Sequence, residues 1–276
     1  MKRAEVRLKG NPEETLAQQG YVKINAGQFV YNPVFAEDFA RLRRAAAALP
    51  IDHTDKTAGR ARQYGRMVHL PWLGADIAVP PRVYTHSGEF GLEYTQPASV
   101  NSDSGGQRRI FPALAPALYR NRALTELISL FRSILPLDAD ARAEAMSVGI
   151  HLLKLEAAAG YSAKASPNLV HRDGEPYTVA VLLDRAGAEG GENVITQTRW
   201  HDHAVEDVPS SDILARFTLE RSLEAYVVKD DRVAHYVAPV TCAATSPSGV
   251  RTILLLDYTP LRPVIVMTGM EEQAAA

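Results

Sequence analysis

From Ser147 onward the chain consists of apolar or alternating runs of about 6 to 9 residues, a length that suits strands. The runs are Val148–Leu155, Tyr177–Leu183, Asn193–Thr198, Leu223–Val228, Arg232–Val237 and Val250–Tyr258. Between them stand Gly187-Ala-Glu-Gly-Gly191, Lys229-Asp-Asp231 and Ser246-Pro-Ser-Gly249, which are turn-forming residues. This half is expected to form an antiparallel sheet system.

The first half has a different texture. Asn11-Pro12-Glu13-Glu14 has the composition of a helix start with a capping box, and a helix through Gln19 follows. Phe39, Leu42, Ala46 and Leu49 recur at helical spacing within Phe35 to Leu49, which Pro50 ends. Pro116 to Leu135 carries Leu118, Leu124, Leu127, Ile128, Phe131 and Leu135 on or near one stripe. Ile77 to Gly106, rich in Pro, Gly, Ser and Asn, predicts short strands joined by turns. Helices massed before strands predict an α+β fold, or a β-sandwich core with helices packed outside it. With 276 residues, no internal repeat and no linker-like stretch, one domain spanning 1–276 is the simpler expectation. Its helix-rich part covers about 1–146 and its β-rich part about 147–268. The tail Glu271–Ala276 is expected to fray.

Charge and cysteine content narrow the function classes. Thirty basic against 32 acidic side chains leave a net charge of -2, too balanced to hold a nucleic-acid backbone by bulk electrostatics. No run approaches the ~20 apolar residues of a membrane span, and the N-terminus never develops the apolar stretch of a secretory signal. Cys242 is the only cysteine, so no intrachain disulfide can form. The expected location is the cytoplasm.

One constellation carries chemistry. His171 and Asp173 are two residues apart just before the strand Tyr177–Leu183, and such residues project to the same side of extended chain. His235 lies 62 positions after Asp173 on another expected strand. Two histidines and one carboxylate form the facial triad of non-haem iron(II) oxygenases, which leaves coordination positions open. Taken alone the tripeptide also reads as a loop histidine beside a solvated acid. A second copy, His53-Thr-Asp55, has no strand after it. His201-Asp-His203 lies among Glu206, Asp207 and Pro209 in an expected exposed loop, and His151 reads as a core histidine. Arg251 shifts the balance. It stands in the apolar run Val250-Arg-Thr-Ile-Leu-Leu-Leu-Asp257, where an arginine must be paired or reach water. Its planar fork suits a dicarboxylic co-substrate. The open readings are a salt bridge to an acid elsewhere, or an edge position with the head in solvent.

The order His171-x-Asp173, His235, Arg251 resembles the 2-oxoglutarate-dependent dioxygenases. The surrounding words resemble the bacterial 2OG-Fe dioxygenase family that includes L-isoleucine dioxygenase and related hydroxylases of free amino acids. They are Arg60-Ala-Arg-Gln-Tyr-Gly-Arg66, Gln96 with Asn101, Gly105-Gly-Gln-Arg-Arg-Ile-Phe111, Val148-Gly-Ile-His-Leu-Leu153, His171-Arg-Asp-Gly174, Gly190-Gly-Glu-Asn193, Asp231-Arg-Val-Ala-His235 and Gly249-Val-Arg251. The resemblance implies a double-stranded β-helix, a jelly-roll or cupin-like core with flanking helices. It also implies Fe(II) on His171, Asp173 and His235, 2-oxoglutarate gripped by Arg251, and O2 as oxidant. The expected reaction is oxidation, most simply hydroxylation, of a free amino acid or a small amino-acid-derived metabolite, with release of succinate and CO2. Val170, Arg172 and Asn193 depart from the family's tendency at those positions, so substrate identity is not carried over.

Arg62, Arg66 and Arg109 could receive a substrate carboxylate, and Gln96 and Asn101 could bind its polar groups. Surface arginines and turn-stabilising amides are the alternative readings. A small molecule is the expected partner, nucleic acid and membrane are not, and a homodimer is compatible with the sequence. Two rival functions are a zinc hydrolase, which also uses such ligands but has no need of Arg251, and a non-catalytic binding module of the same fold.

Overall fold

The structure, a computed structural model, describes residues 3–50, 59–100, 105–164 and 168–262. Asn101, the His53-Thr-Asp55 copy and the tail 271–276 lie outside the described residues. In chain order the strands that shape the site are β1 (Tyr21–Ile24), β2 (Arg60–Leu70), β3 (Ala75–Ala78), β4 (Phe90–Tyr94), β5 (Arg109–Pro112), β6 (Met146–Ala158), β7 (Tyr177–Ala186), β8 (Glu192–Gln197), β9 (Ile213–Thr218), β10 (Ala225–Lys229), β11 (Val233–Val237) and β12 (Ser248–Pro260). A seven-stranded sheet runs β1-β10-β7-β12-β6-β2-β3, and a three-stranded sheet runs β9-β8-β11. All their pairs are antiparallel.

Period-two alternation gives the large sheet two apolar faces. On its outer face Leu254, Leu256 and Tyr258 of β12 join Ile150 and Leu152 of β6 and Val179 and Val181 of β7. This face is covered by helices α1 (Pro12–Gln19), α2 (Pro33–Ala47) and α3 (Arg122–Ser133). On the inner face Ile253, Leu153, Leu155, Ala180 and Leu182 pack against Ile195 of β8 and Val233 of β11. Two antiparallel sheets thus enclose a core with helices on one side. This is the expected α+β double-stranded β-helix, or jelly roll.

The helices follow their end signals. Asn32 accepts the Phe35 amide at the start of α2, with Pro33 behind it, and Phe35, Phe39, Leu42 and Ala46 are buried. The apolar stretch from Pro116 to Leu135 is not one helix. A short turn at Leu118–Arg120 precedes Asn121, whose extended backbone and side chain cap a fresh start at Arg122. At α1 the capping box does not form: the Asn11 amide donates to Glu14 Oε2 (2.8 Å) and caps no backbone group. Several strands were not expected, among them β1, β2, β5 and β9. β2 carries Arg60, Arg62 and Arg66 on one side, and these charges conceal its alternation with Ala61 and Met67, which are buried against the helices.

Candidate active site

The metal constellation is built by main-chain pairing. His171 and His235 exchange both backbone hydrogen bonds across an antiparallel bridge (2.8 and 2.9 Å), so their side chains leave on the same side. Their rings lie 4.4 Å apart between centroids. Asp173 Oδ1 is 3.9 Å from His171 Nε2, and its Oδ2 is 3.5 Å from His235 Nε2. Among the described residues these three alone converge as ligands, their candidate atoms all within 4.8 Å of one another.

The loop holding Asp173 is cupped by a residue from the β10–β11 turn. Asp230 accepts the amides of Asp173 (2.7 Å) and Gly174 (3.1 Å) through its two carboxylate oxygens, and its carbonyl accepts Arg172 Nε (2.7 Å). Gly174 has a φ of +85° and no room for a Cβ beside Val100. On the other side Gln96 Nε2 donates to the Asp173 carbonyl (2.6 Å). The His201-Asp-His203 loop has a buttressing place: its backbone pairs with Val170, beside His171, and His201 Nε2 faces the Val100 carbonyl (3.1 Å).

The ligand set suits a divalent metal ion. Burial, with His235 adding to it, lowers the His171 imidazole to about 4, so its ring is neutral near pH 7. Its Nδ1 faces the Leu169 carbonyl (3.1 Å), which leaves the Nε2 lone pair toward Asp173. Burial raises the Asp173 carboxyl, but His235 and His171 outweigh it and hold the group below the usual carboxylate range. Two imidazoles and one carboxylate leave the remaining positions of an octahedral ion open.

Arg251 begins the inner face of β12, opposite Arg185 of β7 and Leu155 of β6. It is 2% exposed, yet none of its nitrogens has a hydrogen-bond or ion-pair partner among the described residues. Burial lowers it to about 10, so it stays charged near pH 7. Tyr226 of β10 lies within electrostatic reach of both Asp173 and Arg251, and burial pushes its phenol up so that it remains a neutral donor. Its hydroxyl bonds no described residue.

A third cluster lies where β2, β4, β5 and β6 meet. His151 pairs through Nε2 with Asp257 (2.8 Å) and stacks on Tyr64 (4.4 Å between centroids), with Tyr94 and Phe111 edge-on. Gly149 makes room for this pair: a Cβ there would stand 2.9 Å from Asp257 Oδ2. Burial, reinforced by Asp173, pushes the Asp257 carboxyl up to about 8, and burial with Arg62 pushes His151 down. Of the expected substrate residues, Arg62, Arg66, Arg109 and Gln96 gather here. Arg62 lies over the Phe111 ring (4.9 Å) and Arg109 over Tyr94 (5.0 Å), each with a buried Nε that has no acceptor. Arg66 donates twice to the Tyr64 hydroxyl. Gln96 is engaged at both ends of its amide, by the Asp173 carbonyl and by Arg109 Nη2 (2.7 Å).

Sequence reasoning missed Asp230, Tyr226, Tyr94 and Glu175. Asp230 stands in Lys229-Asp-Asp231, where its composition signals only a turn. Glu175 follows Asp173 by two residues, and the alternation that paired His171 with Asp173 extends to it. Tyr94 and Tyr226 carry no local signal.

A family model described as 2OG-Fe dioxygenase matches residues 43–257. The 3(1)-hydroxy-L-isoleucine 4-dioxygenase of Pantoea ananatis (strain AJ13355) is 26% identical over 179 residues, 62% of this chain and 65% of that protein. The match therefore spans just under two thirds of the relative's length. Among solved structures, IDO from Bacillus thuringiensis superposes with a TM-score of 0.63 at 16% identity, covering 91% of this chain and 98% of that one. A bsmA homologue from Methylobium petroleophilum PM1 gives 0.67 at 20% identity, covering 92% and 94%. At these identities the two structures speak to the fold alone.

Proposed function

Because the chain belongs to the 2OG-Fe dioxygenase family, we propose that it oxidises a free amino acid or a small amino-acid-derived metabolite with 2-oxoglutarate and O2 as co-substrates. The protein is a 2-oxoglutarate-dependent dioxygenase whose cofactor is Fe(II), which His171, Asp173 and His235 would hold. Bound iron and keto acid together activate oxygen for attack on a C–H bond of the substrate, with succinate and CO2 as co-products.

The observation that carries this reading is Arg251. A buried guanidinium with no acceptor is a costly thing for a fold to keep unless a ligand supplies the anion. The distal carboxylate of 2-oxoglutarate matches its fork through two parallel hydrogen bonds. Tyr226, within reach of both Asp173 and Arg251, is placed to donate a hydrogen bond to a molecule spanning from the metal to the arginine. A zinc hydrolase gives Arg251 no task. Support for an amino acid comes from Arg62 and Arg109, whose vacant Nε donors can receive a carboxylate, and from the substrate named for the Pantoea relative.

The test is anaerobic loading with Fe(II) and 2-oxoglutarate, which should give a weak visible charge-transfer band. Air is then admitted with a panel of amino acids, and succinate and mass change are followed. Arg251→Lys keeps the charge but loses the two-point fork, so 2-oxoglutarate affinity should fall by roughly 1.5–3 kcal/mol. Use of pyruvate, which has no distal carboxylate, should not change. Zinc-dependent hydrolysis without the band would favour the hydrolase, and equal 2-oxoglutarate affinities in two folded proteins would remove Arg251 from the site.

A further inference from the structure

We propose that Glu175 receives the substrate's amino group, so that the site takes a free primary ammonium and refuses N-acylated or peptide-bound forms. The inference rests on the free-amino-acid reading above and adds the group that recognises the amine.

Glu175 is half-buried just before the start of β7, and its two oxygens differ. Tyr94 donates its hydroxyl to Oε1 (2.8 Å), while Oε2 is buried with no hydrogen-bond partner among the described residues. Among the described residues no lysine, arginine or histidine forms an ion pair with this carboxyl; Arg109 lies within electrostatic reach of it, as do the acids Asp257 and Asp173. Both of those are committed, Asp257 to His151 and Asp173 to the two imidazoles. Glu175 does not converge with the candidate metal ligands. Among the described residues its Oε2 is therefore the only carboxyl oxygen that is fully buried without a donor, and a cationic donor suits it best.

Tyr94 connects this vacancy to the vacant cationic side. Its hydroxyl holds Glu175 while its ring lies under Arg109, and it packs edge-on against Tyr64 (5.3 Å) and His151 (5.0 Å). One fixed aromatic thus presents a carboxyl with a free oxygen at its polar end and a guanidinium with a vacant Nε over its face. An α-amino acid offers the complement, an ammonium and a carboxylate separated by a single carbon. An N-acyl group would remove the charge and bring a carbonyl toward three carboxyls. Sites built to pair a buried polar group discriminate strongly against ligands lacking the partner.

The test uses anaerobic enzyme loaded with Fe(II) and 2-oxoglutarate, titrated calorimetrically with L-isoleucine, N-acetyl-L-isoleucine and 3-methylpentanoic acid, and then with the other common amino acids. Wild type should bind at least one free amino acid, and the N-acetyl and amine-free analogues at least tenfold more weakly. In Glu175→Gln, affinity for that amino acid should fall at least tenfold and the gap to its amine-free analogue should close. Tyr94→Phe, which frees the Glu175 carboxyl without removing it, should shift the same ratio less and serves if the glutamine variant fails to fold. Undiminished preference for the free amine in folded Glu175→Gln overturns this inference and leaves the proposed function standing. Binding of no free amino acid by wild type overturns both.

Discussion

At the scale of single residues, the site depends on groups whose roles local sequence does not show. Asp230 is the clearest case, since it holds two consecutive amides at the loop that aims Asp173. Partners that orient metal ligands typically contribute 10–100-fold to metal affinity. Asp230→Ala should therefore weaken Fe(II) or Mn(II) binding by about that factor while the protein stays folded, as read by anaerobic metal titration beside a thermal melt. Undiminished affinity would show that Gln96 and the Gly174 turn suffice to hold the loop. Of the residues that the sequence singled out, His235 and Arg251 are improbable types for their apolar strands, and His171 and Asp173 stand two apart just before one. Asp230, Glu175 and Tyr226 are ordinary where they stand in the chain. Their significance comes from which strands face one another, and spacing along one strand cannot reveal that.

At the scale of elements, the long apolar strands of the second half were legible because alternation and turn residues agreed. β2 was hidden because its inner face is cationic, and α3 was drawn too long because an apolar stripe ran through its cap. The packing of α2 on α3 depends on one buried acid. Asp38 is 3% exposed, accepts Arg122 Nε at the start of α3 (2.5 Å) and also pairs with Arg41 (2.9 Å), while its backbone carbonyl accepts Asn121 Nδ2 (2.8 Å). The Arg122 hydrogen bond, opposed by burial, holds the Asp38 carboxyl below its usual value of 3.8. A carboxyl lowered in the folded state contributes stability that is fully present above its unfolded value and is lost as pH falls through the folded one. Asp38→Asn should thus melt a few degrees below wild type at pH 7, and the gap should narrow as pH is lowered from 4 toward 2. A gap independent of pH would mean that Asp38 acts through shape and its backbone carbonyl and not through charge.

At the scale of the whole molecule, several described groups are left unmatched by the protein alone: the lone guanidinium of Arg251, the vacant Nε atoms of Arg62 and Arg109, the free oxygen of Glu175 and the convergent ligand triad. Unmatched buried charge subtracts from folding stability, so ligands that bind only the folded state should restore it. A ligand present at about 100 times its dissociation constant adds roughly 2.7 kcal/mol. For a chain of 276 residues this corresponds to a rise in melting temperature of about 5 °C. Melting under anaerobic conditions should separate the contributions. Fe(II) alone should raise the melting temperature through the triad, 2-oxoglutarate should add a second increment on top of the metal, and chelation should reverse both. Pyruvate, which can meet the metal but offers nothing to Arg251, should give a smaller second increment than 2-oxoglutarate. In Arg251→Lys the metal increment should persist while most of the difference between the two keto acids disappears. Equal increments from both keto acids in wild type would show that no distal carboxylate reaches Arg251, and its missing anion would then have to come from another molecule.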